Sequence, residues 1–175
     1  MTAKDERYYQ AYLSHHSVSR RGLFRGVFGA AHKTLNSDMP RTITRPPFAC
    51  AEHLFSEVCN GCGECARACP YGLIDVHSGK AELTIDFAAC DFCRRCAQSC
   101  ATNALNVAFK ADTTLRPSFS ENCLQRQNQS CDVCQQACPQ QAISAELEVD
   151  NEKCNGCGEC KIRCFMSAVQ LVLTA

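Results

Sequence analysis

Sixteen of the seventeen cysteines in this chain fall into four blocks, and no other feature narrows its possible folds as much. The first block is Cys59, Cys62, Cys65 and Cys69. The second is Cys90, Cys93, Cys96 and Cys100. The third is Cys123, Cys131, Cys134 and Cys138, and the fourth is Cys154, Cys157, Cys160 and Cys164. Three blocks follow C-x2-C-x2-C-x3-C. The third widens only its first gap, to seven residues.

Cysteines two residues apart let one tight loop present three thiolates to three irons of a [4Fe–4S] cubane. The fourth thiolate of such a run reaches a different cubane, so two runs complete each other. The spacing therefore predicts one cluster on Cys59, Cys62, Cys65 and Cys100, and a second on Cys90, Cys93, Cys96 and Cys69. A third falls to Cys123, Cys131, Cys134 and Cys164, and a fourth to Cys154, Cys157, Cys160 and Cys138. The wide Cys123–Cys131 gap asks for a small excursion of the chain and leaves the ligand count intact. The expected cofactors are four [4Fe–4S] clusters.

Two other uses of cysteine compete with this reading. A disulfide framework suits an even number of cysteines behind a secretory signal, whereas this number is odd and the blocks are dense. Structural zinc joins two separated C-x2-C knuckles around one ion, and a third and fourth cysteine in the same run are surplus to it. Cys50 stands outside every block and reads as a free or buried thiol. His15, His16, His32, His53 and His77 show no ligand spacing.

The 175 residues include no Trp, and apolar stripes are short. Each half alone is too small for a generous core. Clusters are expected to supply much of the stability, leaving the metal-free chain largely unfolded. The formal net charge of zero hides an asymmetry. Residues 1–48 carry 8 basic and 3 acidic side chains (8 − 3 = +5), and the rest carries 10 and 15 (10 − 15 = −5). Four oxidised cubanes with their thiolates add about −8, placing the cysteine-bearing body near about −13. Nucleic acid is an unsuitable partner for such a body.

Residues 1–48 lack cysteine and read as a basic extension, irregular or weakly helical, with Arg41 to Pro47 extended because residues before proline avoid the helical region. Residues 49–110 form the first repeat pair. Between its blocks, Leu73–Val76 and Glu82–Asp86 flank a turn at His77–Lys80 and predict a hairpin. Residues 111–175 repeat the plan. Short strands are expected at 142–144 and 146–150, with a closing strand at 168–173. Short helices should follow the cysteine loops. The duplication predicts an α+β fold of two tandem dicluster units behind the extension.

The blocks resemble those of bacterial-type double-cubane ferredoxins, including Pro70 after Cys69 and Pro139 after Cys138. Ala101 and Phe165 replace the corresponding proline in the other two runs. Outside the cysteines, Ser19-Arg20-Arg21-Gly22, Arg45-Pro46-Pro47 and the stretched third block make nearly the whole chain similar to the NapF-type accessory proteins of periplasmic nitrate reductase systems. That resemblance implies a cytoplasmic protein. Its partner would be the precursor of the molybdenum-containing catalytic subunit, in which it would assemble or reductively load a [4Fe–4S] centre. Redox donor proteins are further implied partners.

Arg25 interrupts the apolar stretch after Arg20 and Arg21, so an export signal is not expected. Arg20, Arg21, Leu23, Phe24 and Arg25 are instead candidates for docking a partner, and association with a membrane surface is not expected. Tyr8, Tyr9, Tyr12 and Leu13 form an aromatic group that reads as either exposed or packed on the body. Arg94 and Arg95 either raise the potential of the second cluster or bridge to Asp91. No nucleophile–base pair or nucleotide loop stands out, so an enzyme is not expected. Two function classes remain: an accessory factor that docks on a client, and an electron-wire subunit of a larger oxidoreductase.

Overall fold

Loops that must wrap a cofactor leave little chain for regular structure, and the elements here are correspondingly short. A computed structural model describes residues 41–174. In order they form α1 (Glu52–Val58), α2 (Glu64–Ala68), β1 (Ile74–His77), β2 (Lys80–Leu83) and α3 (Arg95–Gln98). These are followed by β3 (Leu115–Phe119), α4 (Val133–Gln136), α5 (Glu159–Arg163) and β4 (Val169–Leu173). The docking candidates Arg20, Arg21, Leu23, Phe24 and Arg25, and the Tyr8–Leu13 group, lie outside the described residues.

In the first half, β1 and β2 pair antiparallel, with Ile74 opposite Leu83 and His77 opposite Lys80. Ser78 (φ 51°) and Gly79 (φ 72°) make the connection. Two residues with positive φ match the natural twist of a two-residue hairpin, which is why the sequence Ser-Gly closes it so tightly. β1 runs one residue and β2 two residues further into the turn than the expected spans, and β2 stops at Leu83 rather than Asp86. The ends of this half meet at an Ala49–Leu105 bridge, beside which Phe48 N donates to Lys110 O (3.3 Å).

The second half reverses the emphasis. β3 and β4 pair antiparallel over five residues, Leu115 opposite Leu173 and Phe119 opposite Val169. The strand at Leu115–Phe119 is not among the expected ones, and it carries a proline, Pro117, within a ladder. The bonds Ser120 N to Ala168 O (2.8 Å) and Thr174 N to Thr114 O (3.1 Å) explain how it fits. They put the even-numbered residues on the ladder, so Pro117 sits where no donor is needed. The expected strands at 142–144 and 146–150 shrink to one bridge, Ile143 to Val149.

Two apolar clusters hold these elements. The larger contains Phe48, Phe55, Leu73, Ile74, Leu83, Ile85, Leu105 and Leu115, and receives Ile162, Leu171 and Leu173 from the second half. The smaller consists of Phe119, Cys134, Ile143, Cys160 and Val169. Two of those five are block cysteines, so the second half has little core of its own.

The segment before the first block is part of this packing. Pro46 and Pro47 are fully buried, and Thr44 exchanges bonds with Leu83 (Leu83 N to Thr44 O 3.1 Å; Thr44 Oγ1 to Leu83 O 2.6 Å). Arg45 is 3% exposed. Its guanidinium donates to Glu52 (2.7 and 3.1 Å) and to Ala81 O (2.9 Å), and lies 4.8 Å above the Phe55 ring. A buried arginine is tolerated when its donors are satisfied and its charge is paired, as here.

Candidate metal centres

Each block builds the same local form. The third cysteine sits in a helix of about one turn: Cys65 in α2, Cys96 in α3, Cys134 in α4 and Cys160 in α5. The fourth cysteine follows that helix. At Cys69 and Cys164 the backbone turns extended (ψ 115° and 100°), which carries the sulfur away from its own loop.

In three of the four runs the loop before the helix is wound by left-handed residues. In the first block these are Gly61 and Gly63, and in the fourth Gly156 and Gly158. Phe92 (φ 56°) and Arg94 (φ 67°) take the same conformation in the second block, at a steric cost that glycine avoids. The residue after the first cysteine braces each of these loops. Asn60, Asp91 and Asn155 accept the amide of Cys62 (3.2 Å), Cys93 (3.0 Å) and Cys157 (3.2 Å) respectively. Glycine at 156 is further demanded by space, since a Cβ there would collide with Leu115 O and Thr113 Oγ1.

Four small, mostly apolar cavities lie against these loops. One is lined by Cys59, Cys62, Cys65 and Cys100. A second is lined by Cys69, Cys90, Cys93 and Cys96. The third gathers Cys123, Cys131, Cys134 and Cys164, and the fourth Cys138, Cys154, Cys157 and Cys160. Every cavity thus takes three cysteines from one run and one from its neighbour. α2 packs on α3 and α4 on α5, which brings the neighbouring runs together. All seventeen thiols are free of disulfides. Among the described residues no three His, Cys, Asp or Glu converge closely enough to share a single ion. The quartets surround a volume instead, as a cubane with one thiolate per iron requires.

The excursion after Cys123 is a compact turn. Gln127 N reaches Cys123 O (3.1 Å), Gln129 N reaches Leu124 O (2.9 Å), and Asn128 takes φ 59°. It returns Cys131 to the same cavity as Cys123.

Backbone amides point at the fourth sulfurs. Leu73 N lies 3.5 Å from Cys69 Sγ, and Leu105 N 3.4 Å from Cys100 Sγ. Ala142 N and Ala168 N lie 3.4 Å from Cys138 and Cys164. The donor is four residues on in three runs and five on after Cys100. Such donors favour ligated thiolate over thiol. Burial works the other way on the inner cysteines. It pushes Cys65 and Cys90 up to about 11, and Cys96 and Cys160 to about 12. These thiols carry their protons at neutral pH in a metal-free fold, so metal binding must release them. Burial also acts to raise Cys100, but the Leu105 amide and Thr102 outweigh it and hold that thiol below its ordinary value.

Similarity to known proteins supports iron–sulfur binding. Residues 58–104, which contain the first two blocks, match the 4Fe-4S dicluster domain family. The chain is 60% identical to an uncharacterized protein of Haemophilus influenzae, over 96% of this chain and 99% of the relative. It is 34% identical to the ferredoxin-type protein NapG of Escherichia coli K12, over 70% of this chain and 66% of NapG. It is also 27% identical to the ferredoxin-type protein NapF of the same strain, over 87% of this chain and 93% of NapF.

The chain belongs to the NapF-like ferredoxin-type proteins. As such it binds [4Fe–4S] clusters, and the quartets of thiols, with amides aimed at their sulfurs, fit that cofactor.

Other features of this ferredoxin-type chain escape sequence reasoning. Asp91 accepts Tyr71 Oη (3.1 Å) and the Cys93 amide rather than an arginine. Cys90 N donates to Cys157 O at 2.9 Å, and Lys161 Nζ donates to Ile85 O (2.6 Å) and pairs with Asp86 (2.9 Å). These contacts join the two halves beside two cavities. Asp112 and Arg116 form a buried two-bonded pair at the start of β3 (3.0 and 2.9 Å). Cys50 is a buried free thiol. No helix among the described residues is long and apolar enough to cross a membrane.

Proposed function

We propose that this chain is two tandem ferredoxin-like units, residues 49–110 and 111–175, holding four [4Fe–4S] clusters. In that reading it is a non-catalytic accessory protein. It acts in the cytoplasm on the precursor of the molybdenum-containing periplasmic nitrate reductase subunit, assembling or reductively loading that subunit's own cluster. The observation that carries the reading is the grouping of sixteen cysteines into four enclosed quartets, each completed across a pair of runs. Every block cysteine is used as a ligand, leaving none as a nucleophile. Similarity to NapF over most of both chains supports the client assignment.

When bound, a [4Fe–4S] cluster supplies one-electron exchange at a potential set by hydrogen bonds, charge and solvent. The protein's part is to hold and shield. The cysteine loops pin the first three sulfurs, the amides of Leu73, Leu105, Ala142 and Ala168 steady the fourth, and the apolar cavity walls limit water. Arg20, Arg21, Leu23, Phe24 and Arg25 of the basic extension would dock the client, the arginines steering and the apolar pair burying surface.

A second reading, a permanent wire subunit, draws on the direct Cys90–Cys157 link between the halves. Pull-down with the precursor and with the matured reductase separates the two. The accessory role predicts capture of the precursor, weakened by salt, and release after maturation. Stoichiometric retention on the mature enzyme would contradict it and favour the wire.

A further inference from the structure

The four quartets share one plan, and one source of difference between their clusters is a residue that varies at a shared place. The residue two beyond each fourth cysteine is such a place, because it lines a cavity in every run. These residues are Tyr71, Thr102, Gln140 and Met166. Tyr71 commits its hydroxyl to Asp91 (3.1 Å). Met166 has no donor and is 40% exposed. Thr102 Oγ1 lies 3.6 Å from Cys100 Sγ. Among the described residues this is the one side-chain donor in reach of a cysteine sulfur; the other hydrogen bonds to sulfur come from amides.

An amide reaches the fourth sulfur in all four runs, so that contribution is common to them. The Thr102 hydroxyl is additional. A ligating sulfur carries no proton, so the hydroxyl must be the donor. Reduction adds negative charge to cluster and sulfurs, and a donor hydrogen bond stabilises the more negative state more strongly.

We propose that Thr102 is a positioning residue that, through Cys100, raises the reduction potential of the cluster held by Cys59, Cys62, Cys65 and Cys100 and leaves the other three unchanged. This rests on the four-cluster reading. Within the first half it biases an electron towards this cluster over its neighbour at Cys90, whose own wall residue Tyr71 points its hydroxyl elsewhere.

The test uses the full chain, loaded anaerobically, with iron and sulfide assayed before redox titration followed by electron paramagnetic resonance. Thr102→Val should shift one of the four components to lower potential at unchanged iron content, and Thr102→Ser should titrate like wild type. A fully loaded Thr102→Val protein with unshifted potentials would overturn the inference, as would a Thr102→Ser shift equal to that of Thr102→Val. If Thr102→Val does not load, Thr102→Ala removes the hydroxyl without branched bulk and carries the same comparison. Iron content short of four clusters in wild type would instead count against the four-cluster reading, independently of any shift.

Discussion

The first half of the molecule closes an inner hairpin and leaves its ends joined by one bridge, whereas the second half zips its ends into β3–β4 and leaves the inner hairpin as one bridge. The same cysteine plan thus tolerates two ways of closing. Turn chemistry decides the inner part. Ser78-Gly79 accepts two positive φ values, whereas the 144–148 turn has no glycine and puts Leu147 at φ 63°. There Ser144 Oγ accepts the Glu146 and Glu148 amides (both 3.2 Å), a side-chain substitute for a tight turn. Proline decides the ends. Pro46 and Pro47 have no N–H with which to extend the Ala49–Leu105 bridge, while Pro117 falls off the β3 ladder and does no harm. The lesson is that the cysteine loops set the geometry and the strands fill in where local sequence permits.

The larger apolar cluster belongs mainly to the first half, and two of the five residues in the smaller one are ligands. Removal of iron with a chelator under oxidising conditions should have the largest effect. Amide exchange should rise throughout, with β3–β4 and α4 exposed before the β1–β2 hairpin, because the second half has less core to fall back on. Equal protection of both halves without metal would erase the asymmetry.

Next in size is the Arg45 staple of the first half. Arg45→Met leaves Glu52 with only its longer contact to Arg41 (3.9 Å) and strips a donor from Ala81 O. It should cost about 3 to 5 kcal/mol in chemical denaturation of the loaded protein. A loss below about 1 kcal/mol would show that residues 41–48 are an appendage rather than part of the body.

Glycine position sharpens the comparison further. Gly156→Ala drives a Cβ into the β3 backbone, whereas Gly72→Ala, also at positive φ, meets open space. The Gly72 change should cost only the conformational penalty, about 1 kcal/mol, and Gly156→Ala clearly more. Thermal denaturation of the two variants side by side checks the order.

The smallest effect is pH dependence of the second half's ion pair. Burial acts to raise the Asp112 carboxyl, but Arg116, the Thr114 amide and Lys110 outweigh it and hold it below the usual carboxylate range. A depressed folded value means the pair's stabilisation is present above the unfolded value of about 3.9 and is lost as pH falls through the folded one. The stability gap between wild type and Asp112→Asn should therefore be constant from pH 8 to 6 and narrow only below about pH 4. A gap that does not change with pH would mean the carboxylate charge contributes nothing there.

What the sequence made legible follows from locality. Cysteine spacing encodes a loop, a helical turn and a displaced fourth thiol, all within a few residues, and the cavities group the sixteen cysteines as that spacing rule does. The first hairpin was legible for the same reason. β3 was hidden because the ladder position of Pro117 depends on a partner strand about fifty residues away. Burial of Arg45 was equally hidden, since arginine beside two prolines reads as solvent-facing linker until Glu52, Ala81 and Phe55 converge on it. The Cys90–Cys157 and Lys161–Asp86 contacts join segments with no shared local pattern, so composition carries no trace of them. That Phe92 and Arg94 adopt the left-handed form where the first and fourth loops use glycine needed the backbone itself.

Cross-completion of the quartets is the central claim, and Cys100→Ser tests it most directly. Iron, sulfide and Mössbauer analysis of the anaerobically loaded wild type should give about 16 irons per chain. In the variant, the cluster on Cys59, Cys62 and Cys65 should be altered or lost while that on Cys90, Cys93 and Cys96 persists, and Cys69→Ser should do the reverse. Loss confined to the Cys90 cluster in Cys100→Ser, or saturation of wild type at half the iron, would contradict the account.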